Sequence, residues 1–147
     1  MIHSQNDRVV IFNGPATEST AATNAATIDT LGEPHCRIEV CLPPATATNS
    51  SASFTSLVLQ HGTTTHPSNM TALATGGTEF TIPTHNDTAN AGIVAFDVNL
   101  ANRERILRVV AQFPAAHSTT SYTARFDRQP EVLGTDADQG ADEVVYV

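Results

Sequence analysis

Between Arg8 and Phe126 almost every apolar run alternates with Thr, Ser, Asn or Ala at a period of two, and none holds a helical period over three turns. Successive side chains of a strand point to opposite faces, so this alternation predicts strands with one face buried and one wet. The clearest case is Cys36, Ile38, Val40 and Leu42 interleaved with Arg37, Glu39 and Cys41, ended by Pro43-Pro44. Arg8 to Phe12 reads as a short first strand, and Asn13-Gly14-Pro15 breaks it. Residues 13–27, rich in Ala, Thr and Asn, read as a loop or arm, because Thr and Asn weaken helices and there is no apolar stripe to bury.

Further along, Phe54 to His61 predicts a central strand, with Leu57 and Leu59 on one face and Val58 on the other. Gly62 to Asn69 is loop, Met70, Ala72 and Ala74 mark a weak strand, and Gly76-Gly77 turns the chain. Phe80 and Ile82 predict a strand stopped by Pro83, and Thr84 to Gly92 another loop. Ile93 to Leu100 follows, with Val94, Phe96, Val98 and Leu100 on one face. Asn102 to Glu104 reads as a hairpin turn into Ile106 to Phe113. Thr119 to Phe126 closes the series. Seven to eight strands spaced about 8–15 residues apart, with no helical pattern between them, predict an all-β fold: a single antiparallel β-sandwich, jelly-roll-like, with an extended N-terminal arm. The expected organisation is an arm or edge strand and loop over 1–27, the sandwich over 28–130, and an acidic C-terminal tail over 131–147. Gly134 to Glu143 reads as flexible, while Val144, Val145, Tyr146 and Val147 are expected to anchor the end as an added strand, within a subunit or between subunits.

A chain of 147 residues fits one domain, since about 150 residues bury about 68–70% of their unfolded surface in one core. The net charge is −8, with five carboxylates between Glu131 and Glu143, which disfavours direct nucleic-acid binding. The first seven residues are polar and no run reaches the roughly 18 apolar residues of a membrane span, so neither classical secretion nor a membrane partner is expected. Lysine is absent, while Thr and Ala together supply 41 residues. This excludes Schiff-base chemistry, and it fits an arginine-preferring, high-GC genome or a moderately saline habitat. Arg103, Arg105 and Arg108 gather near one turn. They are either a solvated hairpin end or a meeting point for a carboxylate-rich partner.

Candidate chemistry is sparse. Six histidines raise the question of a metal, with His61, His66 and Asp87 the best group, with His85 nearby, but the spacing matches no zinc pattern and scattered loop histidines are commoner. Cys36 and Cys41 lie on one strand, on opposite faces about 16 Å apart, so they are expected to be free thiols. No nucleophile elbow is present, Gly76-Gly77 lacks the lysine and helix of a phosphate loop, and nothing singles out Glu79, Asp87 or Asp97 as a glycosidase pair. Sequons occur at Asn49, Asn69 and Asn86, about the number that nine asparagines in a Ser/Thr-rich chain produce by chance. No catalytic residue, metal or cofactor is expected.

Three segments carry a resemblance: Ile28-Asp29-Thr30-Leu31-Gly32, the run Gly76-Gly77-Thr78-Glu79-Phe80-Thr81-Ile82-Pro83, and Phe96-Asp97-Val98-Asn99-Leu100 followed by Arg103 to Val110. Together, over roughly Ile28 to Phe126, the chain resembles small bacteriophage head structural proteins found beside the major capsid protein. The resemblance implies a non-enzymatic decoration or cement protein on the outer capsid surface, assembled in the host bacterial cytoplasm. Its partners would be the major capsid protein and itself, as a homotrimer in which several weak contacts add by avidity. Val9, Val10, Ile11 and Phe12 are candidate contacts as an augmenting strand, the alternative being that they form the sandwich's own edge. Arg103, Arg105, Arg108 and Tyr146 complete the candidate contacts. The competing readings are a head-to-tail connector or tail protein and a carbohydrate-binding sandwich for host attachment. The second would normally show aromatic platforms, and this chain has no Trp and two Tyr.

Overall fold

The computed structural model describes residues 8–18, 23–42, 54–84, 92–112, 117–126 and 141–147. Among them the regular structure is nine strands and a single 3-10 turn at Pro67–Asn69. The strands are β1 (Arg8–Glu18), β2 (Thr23–Asp29), β3 (His35–Leu42), β4 (Ser56–Gly62), β5 (Met70–Thr75), β6 (Gly92–Asn99), β7 (Ile106–Gln112), β8 (His117–Phe126) and β9 (Glu143–Tyr146). They form a five-stranded sheet, β1-β8-β3-β6-β9, and a four-stranded sheet, β2-β7-β4-β5. The antiparallel pairs β1·β8, β2·β7, β3·β6 and β4·β5 nest inside one another, as if one long hairpin had been folded over itself. That nesting is the two-sheet jelly roll, and it bears out the all-β sandwich expected from the alternation. β9 is an addition to it and runs parallel to β6, an exception to the antiparallel expectation.

The core is the set of inward positions from both sheets. Cys36, Ile38 and Val40 of β3, Val94, Phe96 and Val98 of β6, and Tyr122, Ala124 and Phe126 of β8 meet Leu57 and Leu59 of β4 and Leu107, Val109 and Ala111 of β7. Each fully buried aliphatic or Phe side chain contributes about 1.5–3 kcal/mol relative to exposure, so this layer supplies the main stabilising term. Aromatic rings interlock at its margins: Phe80 stands edge-on to Phe96 at 5.5 Å and Phe12 tilts against Tyr122 at 5.8 Å. Cys36 is buried on the inner face and Cys41 half-buried on the outer, and neither forms a disulfide, as the strand spacing required.

Several expectations are corrected. Within the stretch 13–27, expected as a loop or arm, 13–18 and 23–27 are strand, since β1 continues to Glu18 and β2 begins at Thr23, while 19–22 lie outside the described residues. In β1 the register shifts between Ile11 and Asn13 and again before Ala16. Gly14-Pro15 is thus absorbed as an irregularity of an edge strand, where the missing proline N–H costs no ladder bond. In β2 the alternation is real but drawn in small residues, Ala26 and Ile28 inward and Ala25 and Thr27 outward, so its apolar contrast was too weak to read. Phe80 to Ile82 is not a strand; Phe80 makes one isolated bridge to Gly76, and its ring does the anchoring. The turn at Asn102 to Glu104 is not a hairpin within one sheet, since it carries the chain from β6 in one sheet to β7 in the other. Glu143, expected in a flexible tail, begins β9. Residues 1–7 and 127–140 lie outside the described residues.

Gly62 closes β4 against the 62–69 loop, where a Cβ would sit 2.7 Å from the Asn69 carbonyl oxygen and 2.7 Å from Met70 Sδ. Gly62→Ala should therefore cost about 1–3 kcal/mol, read as a lower urea midpoint with unchanged slope. Burial pushes the Cys36 thiol up to about 12. Alkylation of the native protein at pH 8 with mass mapping should leave Cys36 unlabelled until the chain is unfolded, because the reactive thiolate is not populated there.

Candidate functional site: one end of the sandwich

The registers show which residues share an end of the molecule. In the five-stranded sheet, Val9, Arg125, Arg37, Asp97 and Tyr146 stand in one row across β1, β8, β3, β6 and β9. In the four-stranded sheet the corresponding row is Asp29, Ile106, Gly62 and Met70. Beyond these rows lie the β2–β3 turn, the β6–β7 turn and the 62–69 loop. The turns are tied together: Thr30 donates N–H and Oγ1–H to the Arg105 carbonyl, Leu100 N–H bonds the Pro34 carbonyl, and Glu104 N–H donates to His61 Nδ1. Arg8 joins the two sheets here, its guanidinium 3.9 Å above the Phe126 ring and Nη2 reaching the Asp29 carbonyl at 3.4 Å.

The exposed large hydrophobics among the described residues are Val9 at 61%, Ile11 at 65%, Leu31 at 59% and Tyr146 at 59%. Val9 and Tyr146 occupy the end row itself, at opposite edges of the sheet and about 19 Å apart at four strand spacings. Ile11 is one pleat repeat further in, and Leu31 caps the β2–β3 turn. Between the apolar flanks the row is closed electrostatically. Asp97, with only 5% of its side chain exposed, meets Arg37 Nη1 at 3.1 Å and His35 Nε2 at 3.3 Å, and Arg37 Nε donates to Glu39 Oε1 at 3.0 Å. A shielded carboxylate held by the Arg37 guanidinium satisfies the requirement that buried charge be compensated.

The expected contact residues fall into distinct groups. Val9 and Ile11 project outward from β1, whereas Val10 and Phe12 turn inward onto the core. The four residues therefore form the sandwich's own edge strand, the alternative reading of that segment. The arginines do not make one basic cluster. Arg105 is clamped on Asp29, Nε to Oδ1 at 2.6 Å and Nη2 to Oδ2 at 2.5 Å; Arg108 lies on the outer face of β7 with Nη1 on Gln60 Oε1 at 3.2 Å; and Arg103 projects from the turn. His61 and His66 are engaged separately, His66 Nδ1 lying 2.8 Å from Ser68 Oγ, while Asp87 is outside the described residues. Among the described residues no three potential ligands come together. A shallow hollow of about 340 Å³ at Gly77 to Ile82 lies away from this end, beyond β5.

Two residues outside the expected contact set, Asp29 and Leu31, shape the site. Asp29 accepts the Leu31 N–H at 2.9 Å as well as the Arg105 fork, and Leu31 has φ of +56° beside Gly32 at +77°. With Glu33 N–H bonded to the Thr30 carbonyl, the turn has the two positive φ values of type I′. No sequence rule placed a leucine in the left-handed region.

The Arg105 hydrogen bonds, then the Leu31 N–H, hold the Asp29 carboxyl below its ordinary 3.8. A depressed folded value means the pairing contributes stability that is present above the unfolded value and lost as pH falls through the folded one. Asp29→Asn should thus melt below wild type at pH 7, and the gap in Tm should close as the pH drops below about 4. Added salt should narrow the gap at pH 7. No protein-family model, curated protein or solved structure matches this chain.

Proposed function

We propose that the protein is a structural decoration component of a bacteriophage head, docking non-covalently on the major capsid protein through this end of the sandwich. The observation that carries the reading is the placement of the exposed large hydrophobics. Val9, Leu31 and Tyr146 reach one end and Ile11 lies next to it, on a surface where Arg37 is paired with Asp97 and Arg105 with Asp29. Apolar anchors ringed by satisfied polar groups are the composition of protein-docking surfaces. Two of the three segments that carry the resemblance to phage head proteins, Ile28 to Gly32 and Phe96 to Leu100 followed by Arg103 to Val110, include parts of the β2–β3 and β6–β7 turns at this end. The jelly roll is also an architecture of viral shells.

A subunit that presents few anchors binds weakly alone. Assembly as a homotrimer over neighbouring capsomers would multiply those contacts without new chemistry. Mature capsids lacking the protein, mixed with it and sedimented, should carry about one copy per major capsid subunit at saturation, as repeated equivalent contacts require. A handful of copies per particle would instead assign it to the neck or tail, and no binding would overturn the proposal.

A further inference from the structure

We infer that Leu31 is a pre-organised apolar anchor, held out by a strained turn to enter an apolar pocket on the shell protein. The inference rests on the docking reading above and names the contact that reading leaves open. Its basis is a conflict between conformation and composition. A bulky side chain at φ of +56° is uncommon, because its Cβ crowds the following carbonyl oxygen; glycine or asparagine is the ordinary occupant. Burial offsets little of this, since the leucine is 59% exposed and stands outside the core cluster.

The surrounding turn over-determines the strained conformation. Asp29 Oδ1 holds the Leu31 N–H, the Asp29 carboxylate is gripped by both arms of Arg105, Thr30 is 2% exposed with its hydroxyl on the Arg105 carbonyl, and Gly32 completes the left-handed pair. Backbone strain that persists because its surroundings enforce it is a mark of a recognition element. Pre-ordering the anchor also removes an entropy cost from binding. The adjoining charges select the partner's chemistry. Asp29 and Arg105 neutralise each other beside Leu31, so the tip presents an apolar group within a closed ion pair. The complement is an apolar pocket with a polar rim rather than the carboxylate-rich surface that three free arginines would have sought.

Leu31→Asn, made in the full-length chain, separates this role from a structural one because it moves two readouts in opposite directions. Asparagine tolerates the left-handed region, so Tm should rise by about 2–5 °C. Affinity for mature capsids lacking the protein, measured by sedimentation, should fall at least about tenfold. Leu31→Met, which keeps an apolar side chain in the same strained turn, should bind within about twofold of wild type. Wild-type binding by Leu31→Asn, or a fall in its Tm, overturns the anchor while leaving the docking proposal standing. A changed oligomeric state with unchanged particle binding also overturns it, by assigning Leu31 to a contact between copies. Failure of the wild-type protein to bind capsids overturns the docking reading and the anchor together.

Discussion

The register of β3 is the constraint on which the rest of the structure depends. This strand is hydrogen-bonded to β8 on one side and β6 on the other, with Cys36 opposite Phe126 and Val98, Ile38 opposite Ala124 and Phe96, and Val40 opposite Tyr122 and Val94. All nine side chains face inward and are buried to within about one per cent. A slip of one residue would turn Arg37 and Glu39 into that layer and expel Ile38 and Val40, so the wrong register is excluded by the cost of burying charge as much as by lost apolar contact. The same register lines up the outward row, because what faces away from the core is fixed by what faces into it. Val9, Arg125, Arg37, Asp97 and Tyr146 stand in line as a consequence of how Phe96 and Tyr122 pack.

The geometry of this end of the sandwich follows from the way the two sheets are joined. In a nested jelly roll the chain repeatedly leaves one sheet for the other, and the short crossings β2–β3 and β6–β7 occur side by side at one end. A short crossing confines its residues to unusual backbone conformations, which is where Leu31, Gly32 and Asn102 take positive φ. Hydrogen bonds between the two crossings, from Thr30 to the Arg105 carbonyl and from Leu100 to the Pro34 carbonyl, make them one rigid platform. The Asp29–Arg105 pair is exposed and of small energetic weight, as surface pairs are. Its importance is geometric: it closes two charges against each other beside an apolar tip.

Strands with strong apolar contrast were legible from the chain. Cys36 to Leu42, Phe54 to His61, Ile93 to Leu100 and Ile106 to Phe113 alternate large aliphatic with polar residues, and each contains a strand close to those bounds. β2 was hidden because its inward positions are Asn24, Ala26 and Ile28, of which only the last is large; it is held as a strand by its ladder to β7, a long-range fact that a local window does not contain. Phe80 and Ile82 misled in the other direction. They are apolar because they cover the core from a loop, and burial without strand pairing leaves the same mark on a sequence as burial with it.

The candidate site divides along the same line. The sequence by itself determined that Val9, Ile11 and Tyr146 sit on strand-like segments at the margins of the pattern, that Cys36 and Cys41 face apart, and that an all-β sandwich would form, since period-two alternation has one efficient way to be buried. Only the tertiary structure decided that Val9 and Tyr146 share a row across five strands, that Arg105 is spent on Asp29 while Arg108 lies flat against Gln60, and that Leu31 is held outward in the left-handed region. Those facts depend on pairings between residues about 50 to 120 positions apart, the Leu31 turn through the Asp29–Arg105 clamp, and such pairings arise from the packing of two sheets rather than from any property of the segments that carry them.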